Sequence, residues 1–118
     1  MEDSVWYRDI VFYLRSGQFL VTMNPKKRRT LKMKSSQYVL IVDILFRRNY
    51  DCILLRCVDE RKAQELMKEC HEGICGGSFA PIAITHKIIR VGFYWPSILK
   101  YSYATTRKCV SCQQFSGK

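Results

Sequence analysis

Two cysteines near the end of the chain have the spacing of a metal-binding pair. Cys109 and Cys112 are separated by two residues, which lets two thiolates grip one Zn²⁺ from a tight turn. Dithiol redox enzymes use the same spacing, but at the start of a helix in a βαβ unit, where the helix dipole lowers a thiol pKa. Here the pair follows the last predicted helix, which argues against a dithiol oxidoreductase.

A tetrahedral zinc site needs two more ligands, and the chain contains only two histidines, His71 and His86. His71 is the better candidate because it falls at the end of a predicted helix, where it could meet the distant cysteine pair across a small helical core. His86 lies inside an apolar-periodic helix, where a histidine is more often packed or at the surface than a ligand. The candidate ligands are therefore His71, Cys109 and Cys112.

Basic residues outnumber acidic ones by 20 to 10, and the formal net charge is +10. Such a charge attracts polyanions, but it also occurs in soluble proteins that bind other molecules only nonspecifically. The position of the charges along the chain is therefore better evidence for a nucleic-acid partner than the net charge. One dense cluster lies in the stretch 26–34, which contains no acidic residue and resembles a phosphate-contacting or nuclear-localisation segment. The residues from which we expect phosphate contacts are Lys26, Lys27, Arg28, Arg29, Lys32, Lys34, Lys87, Arg90, Lys100, Arg107 and Lys108.

Catalytic groupings are not evident in the sequence. The ten acidic residues are scattered and suggest no two-metal arrangement, and no Ser-His-Asp or Cys-His pair has a supporting context. The aromatic run Phe93-Tyr94-Trp95 could stack bases, but Trp95 beside Pro96 is better explained as core in a domain with few large side chains. We therefore expect a binding module and not an enzyme.

The elements of the first half mix helices and strands. Apolar residues at four-residue intervals predict a short helix over Val5 to Leu14 that ends near Gly17, with Trp6 as its anchor. Asn24-Pro25 breaks the chain, and the basic run predicts a second, largely solvated helix. The β-rich stretches 38–47 and 52–58 predict a β-hairpin with its turn at 48–51.

The elements of the second half are helical. Asp59 is a plausible N-cap for a helix that places Ala63, Leu66, Met67 and Cys70 on one face, and a glycine-rich loop then opens at Gly73. Pro81 begins a further helix in which Ile84, Ile88 and Val91 share a face and which Gly92 ends. A last helix after Pro96 carries Ile98, Ser102 and Thr105 at helical spacing and delivers Cys109 near its C-terminus.

Length and composition fit one modest folded core or two small lobes. The chain has 118 residues, of which 47% are hydrophobic, and no apolar run approaches the ~20 residues needed to cross a bilayer. The acidic start Met-Glu-Asp-Ser lacks the order of a secretory signal, so we expect an intracellular location, nuclear or cytoplasmic, with the six cysteines as thiols or metal ligands. The expected fold class is α+β, with a boundary between the hairpin and Asp59 that gives domains 1–58 and 59–118.

Several ordered motifs between residues 71 and 115 resemble one known family. They are His-Glu-Gly-Ile-Cys-Gly-Gly-Ser-Phe from 71, Thr-His-Lys-Ile-Ile-Arg from 85, Gly-Phe-Tyr-Trp-Pro-Ser from 92 and Arg-Lys-Cys-Val-Ser-Cys-Gln-Gln-Phe from 107. Together they look like the integrase zinc-binding domain of gypsy-class LTR retrotransposons. The resemblance implies a three-helix zinc-finger-like domain over 59–118, preceded by a lobe over 1–58 that is similar to the N-terminal extension of that domain.

In the family, two histidines and two cysteines bind structural zinc, which the resemblance carries over to His71, Cys109 and Cys112. The second histidine of the family corresponds to Ser78 here, and a neutral hydroxyl is a poor zinc ligand. Three outcomes are open: three protein ligands with a water, a substitute ligand, or no metal. We expect weak or absent zinc. The potential substitutes are Cys75, Cys70 and His86.

The resemblance also shapes the expected function. The catalytic core of an integrase is a separate domain, so the leading hypothesis is a noncatalytic module that binds DNA without sequence preference and mediates oligomerisation. The alternative is a domesticated retroelement fragment that acts as a protein-interaction or regulatory factor and binds host proteins or residual integrase. Ser78, and Tyr101 in place of the acidic residue usual in relatives, favour drift or repurposing over an intact integrase. We expect no membrane partner.

Overall fold

The chain forms two compact units with different architectures, Met1–Asp59 and Glu60–Lys118. The computed structural model describes residues 5–74 and 80–109. The first unit contains α1 (Arg8–Ser16), α2 (Pro25–Ser35), β1 (Tyr38–Ile41), β2 (Ile44–Arg48) and β3 (Leu54–Cys57). The second contains α3 (Glu60–Ile74), α4 (Pro81–Val91), β4 (Phe93–Tyr94) and α5 (Ile98–Lys108). The predicted α+β class is confirmed, whereas the division into domains 1–58 and 59–118 stays a prediction.

No helix in the described ranges is long and apolar enough to span a membrane.

The first helix begins later than its apolar spacing predicted. It starts at Arg8 and ends where Gly17, at φ 74°, donates its backbone N–H to the Tyr13 carbonyl at 2.7 Å. Trp6 therefore precedes the helix, and a long-range hydrogen bond fixes its indole, because Nε1 donates to the Val58 carbonyl at 2.8 Å. The predicted start at Val5 is wrong, and Trp6 anchors the segment that enters α1.

The second helix forms where the basic run predicted it. The Asn24 side chain accepts a hydrogen bond from the Lys27 backbone N–H at 2.8 Å, and Pro25 occupies the first turn, where its missing N–H costs nothing. Leu31 and Ser35 lie four residues apart and are buried. Because these two positions fill the inner face, the remaining surface of α2 is left to the charged residues.

The single strand predicted over 38–47 is in fact two strands joined by a tight turn. Val42 and Asp43 have φ values of 48° and 63°, and the chain reverses there so that Tyr38 pairs with Arg47. Two residues with positive φ form the usual two-residue hairpin turn, but asparagine and glycine normally occupy those positions, so Val-Asp gives no turn signal. The predicted hairpin is therefore wrong in extent, and β1, β2 and β3 form an antiparallel meander.

The turn predicted at 48–51 is confirmed, although it is longer. Asn49 donates its N–H to the Ile53 carbonyl at 2.9 Å, and Cys52 lies within the turn at φ 70°. The core of the first unit contains buried apolar residues from both helices, from all three strands and from the position directly after β3. They are Ile10, Leu31, Tyr38, Leu45, Leu55, Cys57 and Val58.

In its described residues, 60–74 and 80–109, the second unit contains three helices, and its core follows the predicted periodicity of α3. Ala63, Leu66 and Met67 are buried, and Cys70 is half-buried. The helix begins at Glu60, directly after the predicted cap Asp59. It continues through Gly73 to Ile74, so the predicted opening of a loop at Gly73 is wrong. Continuing hydrogen bonds outweigh the modest cost of a glycine within a helix.

Helices α4 and α5 pack through a mixed apolar and polar interface. Ile84 and Ile88 of α4 are fully buried, and beside them the hydroxyls of Thr85 and Ser102 are 2.9 Å apart and hydrogen-bonded. Val91, which was predicted to share their face, is 57% exposed because it is the last residue of the helix and Gly92 redirects the chain at φ 111°. The pairing of two buried hydroxyls could not be read from apolar spacing alone.

Trp95 lies in the core, as predicted. This residue follows α4 and precedes α5 along the chain, and its side chain is buried. Its ring contacts the Tyr101 ring edge-on, at a centroid distance of 5.6 Å. Ile98 and Ser102 are also buried, one turn apart on the inner face of α5. Large apolar side chains therefore fill the centre of this unit.

Candidate functional site

Helix α2 presents a largely cationic surface. All six of its lysines and arginines are exposed, and the helix contains no acidic residue. Within the described ranges none of the six forms an ion pair, in contrast to Arg15, whose guanidinium lies 3.1 Å from the Asp43 carboxylate. The cations are spread around the helix on every side except the one that buries Leu31 and Ser35. They remain available to an external anion.

Arg28 differs from the other α2 cations, because contacts with neighbouring residues hold its side chain in place. Its Nε donates to the Met23 carbonyl at 2.9 Å, and its guanidinium carbon lies 5.6 Å from the centre of the Phe19 ring. The other five cationic side chains of α2 make no such contact with residues 5–74 or 80–109. Sequence spacing could not predict that Arg28 differs from the other α2 cations. Phe19 precedes the helix, and its ring contacts the Arg28 guanidinium only in the folded chain.

The predicted cations of the second unit are exposed as well. They lie on two helices: Lys87 and Arg90 on α4, and Lys100, Arg107 and Lys108 on α5. Two of them, Arg107 and Lys108, occupy the last turn of α5, where the helix dipole favours a positive charge. Each unit therefore has its own group of exposed positive charges.

Two of the predicted metal ligands lie at helix ends within the described residues. His71 is half-buried in the last turn of α3, and it lines a groove of about 630 Å³ between α3 and α5. Cys109 is half-buried directly after α5, where its backbone N–H donates to the Thr106 carbonyl at 3.2 Å. The last residue of α5, Lys108, lines the same groove as His71. Cys112 and Ser78 lie outside the described residues.

Two of the potential substitute ligands, Cys70 and His86, lie within the described residues, and neither lines the groove that contains His71. Cys70 is its neighbour in sequence, but consecutive helix residues point about 100° apart. Burial raises the pKa of the Cys70 thiol, and the positive charge of Lys87 on α4 opposes this rise. His86 is exposed and follows Thr85, which faces the core. Cys75 lies outside the described residues.

Of the four ligand positions that the resemblance implies, three hold residue types that bind zinc. An imidazole and two thiolates, from His71, Cys109 and Cys112, are ordinary zinc ligands, whereas the hydroxyl of Ser78 is not. In the part of the chain that the structure describes, no group of three or more His, Cys, Asp or Glu residues could hold a metal ion. If zinc binds, His71 and Cys109 would tie the ends of α3 and α5 together.

Tyr101 stands where the resemblance led us to expect an acidic residue. Its hydroxyl donates a hydrogen bond to the Glu60 carboxylate, which joins α5 to the start of α3. Partial burial, this hydrogen bond and the negative charge of Glu60 together raise the pKa of Tyr101 to about 12. Sequence reasoning singled out Tyr101 but missed Glu60, because no local pattern links residues 41 positions apart.

Comparison with known families assigns the second unit. Residues 58–118 match the family described as the integrase zinc binding domain. The chain belongs to the integrase zinc-binding domain family. The resemblance to gypsy-class elements is confirmed, and the matched domain is the zinc-binding domain of an integrase and not its catalytic core.

Relatives extend the similarity into the first unit. The chain is 26% identical over 108 residues to the Gypsy retrotransposon integrase-like protein 1 of Pongo abelii and of Mus musculus, and 25% identical to that of Homo sapiens. Each match covers 90% of this chain, whereas the chain spans only about a fifth of the relatives' length. No solved structure matches the chain.

Proposed function

We propose that this integrase-derived module is noncatalytic, binds DNA without sequence preference and mediates oligomerisation. The observation that carries the proposal is the surface of α2, where six exposed cations occur without an acidic residue. Since the matched region corresponds to a domain separate from the catalytic core, a binding role suits it better than chemistry. We place this role inside the cell, in the nucleus or the cytoplasm.

The placement of charge on α2 favours a polyanion over a single acidic partner residue. An 11-residue helix is about 16 Å long, a length over which duplex DNA presents several phosphates. Lys26 and Lys27 stand in the first turn, where the positive end of the helix dipole repels cations. A phosphate bound near this turn would relieve that repulsion.

The exposed cations on α4 and α5 add a second region for phosphate contacts. Lys100 and Lys108 flank the groove that contains His71, and Glu60 and Glu72 also line it. Because these acids offset part of the charge, we expect the second unit to contribute less affinity than α2. Charge removal in the two units should therefore have unequal effects.

Triple substitutions test this proposal. Lys26→Gln, Arg29→Gln and Lys32→Gln together remove three exposed charges from α2 while keeping good helix formers. If all three contact phosphates, affinity for a labelled duplex should fall on the order of a hundredfold at 0.1 M salt. The control carries Arg56→Gln, Arg61→Gln and Lys62→Gln, which remove the same charge at exposed positions outside the predicted set and outside the groove.

The control should bind nearly as the unchanged protein does. Equal losses in the two triple variants would mean that net charge, and not the α2 surface, governs binding. Circular dichroism establishes that both variants are folded. Undetectable binding by the unchanged protein would refute the proposal.

We also propose that zinc binds weakly or not at all. The hydroxyl of Ser78, at a position where the resemblance implies a histidine, supports this proposal. Ser78→His should raise zinc affinity strongly, because it completes a set of two histidines and two cysteines, whereas Ser78→Ala should change it little. Competition with a chromogenic chelator measures both affinities. Stoichiometric zinc that survives extensive chelation in the unchanged protein would contradict this proposal.

A protein-binding role for a domesticated fragment is the second candidate. Leu99 and Tyr103 lie four residues apart on α5, and both are exposed, so they form an apolar strip that could contact a host protein or a second copy of the chain. A pull-down before and after nuclease treatment separates the candidates. Association through nucleic acid disappears with nuclease, whereas direct protein association persists.

A further inference from the structure

Three side chains of the first unit form a layered stack that ends in an exposed cation. The rings of Tyr13 and Phe19 are stacked at a centroid distance of 5.0 Å, with 21° between their planes. The Arg28 guanidinium lies over the Phe19 ring, with its central carbon 5.6 Å from the ring centre. The stack therefore runs from α1 through the α1–α2 connection to α2.

The guanidinium at the end of this stack is positioned before any ligand arrives. The hydrogen bond from Arg28 Nε to the Met23 carbonyl, 2.9 Å long, fixes the side chain in addition to the contact with Phe19. A long side chain that is already ordered loses less conformational entropy on binding. Arg28 is nevertheless exposed, and its two Nη groups donate no hydrogen bond within the described ranges.

We propose that Arg28, supported by Phe19 and Tyr13, is a stacking platform for an unpaired nucleic-acid base. A guanidinium is planar and weakly hydrated, so it stacks on a base while its N–H groups remain free to contact a base edge or a phosphate. This inference rests on the proposed function and adds a preference for single strands, or for duplex ends whose strands have separated.

The neighbouring charges suit such a ligand. Lys32 follows Arg28 by four residues and lies on the same side of α2, where it can contact the phosphate of a stacked nucleotide. Arg29 points to a different side of the helix and shares neither the Phe19 contact nor the Met23 hydrogen bond. Arg28 and Arg29 are therefore chemically identical residues in different settings, which makes them a matched pair for substitution.

The test compares two oligomers that have the same phosphates. One is a single strand of about twelve thymidines, and the other has the same length with abasic sugars, so that only the first can stack. Fluorescence anisotropy measures the affinity of the full chain for each oligomer. The unchanged protein should prefer the thymidine strand by about fivefold or more, since stacking is worth about 1 kcal/mol or more per base.

Arg28→Lys keeps the charge but removes the planar group, so it should abolish the preference, whereas Arg29→Lys should retain it. Phe19→Leu is a second variant that keeps apolar volume but removes the supporting ring, and it too should lower the preference. Thermal unfolding by circular dichroism confirms its fold, and if Phe19→Leu unfolds, the Arg28→Lys result decides the proposal.

Equal affinity of the unchanged protein for the two oligomers would overturn the stacking platform and leave phosphate binding by α2 intact. A preference that both lysine variants keep would also overturn it. Failure to bind either oligomer or a duplex would instead refute the proposed function itself, together with the platform.

Discussion

Replacing Val42 by asparagine removes a β-branched side chain from a left-handed backbone position. Val42 has φ 48° in the turn between β1 and β2, and its side chain is 87% exposed, so few packing contacts would be lost. A left-handed conformation costs an ordinary L-residue about 1–2 kcal/mol, whereas asparagine adopts it more readily. We therefore expect Val42→Asn to raise the free energy of unfolding by about 1 kcal/mol.

Urea and thermal unfolding followed by circular dichroism measure this gain. A gain of 1 kcal/mol corresponds to a rise in Tm of about 4–8 °C for a domain of this size class. Val21→Asn is the control, because Val21 is 92% exposed and lacks the positive φ of Val42. The control should change stability by less than about 0.5 kcal/mol. If Val42→Asn gives no gain over Val21→Asn, the backbone at Val42 is not strained and the reasoning is wrong.

Three further predictions follow from the buried and titrating side chains. Ile88→Ala should destabilise the second unit by about 2–5 kcal/mol in urea unfolding, whereas Val91→Ala on the same helix should cost less than about 0.5 kcal/mol. The raised pKa of Tyr101 means that its protonated form is favoured in the folded state. Its stabilising contribution is thus full below pH 10.0, its ordinary pKa, and is lost as the pH rises towards 12. Tyr101→Phe should make the alkaline loss of stability shallower. Burial raises the pKa of the Cys57 thiol to about 12, although the positive charge of Arg47 opposes the rise. At pH about 8 a thiol reagent should therefore label the exposed Cys52 much faster than the buried Cys57. Mass spectrometry of labelled peptides measures both rates, and equal rates would contradict the buried placement of Cys57.

Periodicity predicted those parts of the fold where one apolar face decides the structure. In α3 and α4 the residues Ala63, Leu66, Ile84 and Ile88 are buried as predicted, because a helix repeats every 3.6 residues and one stripe meets the core. The reversal at Val42 escaped prediction because the usual asparagine and glycine are absent and tertiary packing imposes the turn.

Prediction of the candidate site was limited in a similar way. The exposure of the α2 cations follows from a run with few apolar residues, and the position of Cys109 after α5 follows from helical spacing. The contact of Arg28 with Phe19 and the hydrogen bond between Tyr101 and Glu60 depend on how separate elements pack. No local pattern in the sequence encodes such contacts.

Salt dependence of DNA binding tests the central claim most directly. The logarithm of the duplex affinity is measured against the logarithm of salt concentration for the unchanged protein and for the variant with Lys26→Gln, Arg29→Gln and Lys32→Gln. We predict a steep negative slope for the unchanged protein and a slope shallower by about 3 for the variant, about one for each lost phosphate contact. The claim that α2 binds nucleic acid would be contradicted if the affinity of the unchanged protein did not change with salt concentration. It would also be contradicted if the two proteins had identical slopes.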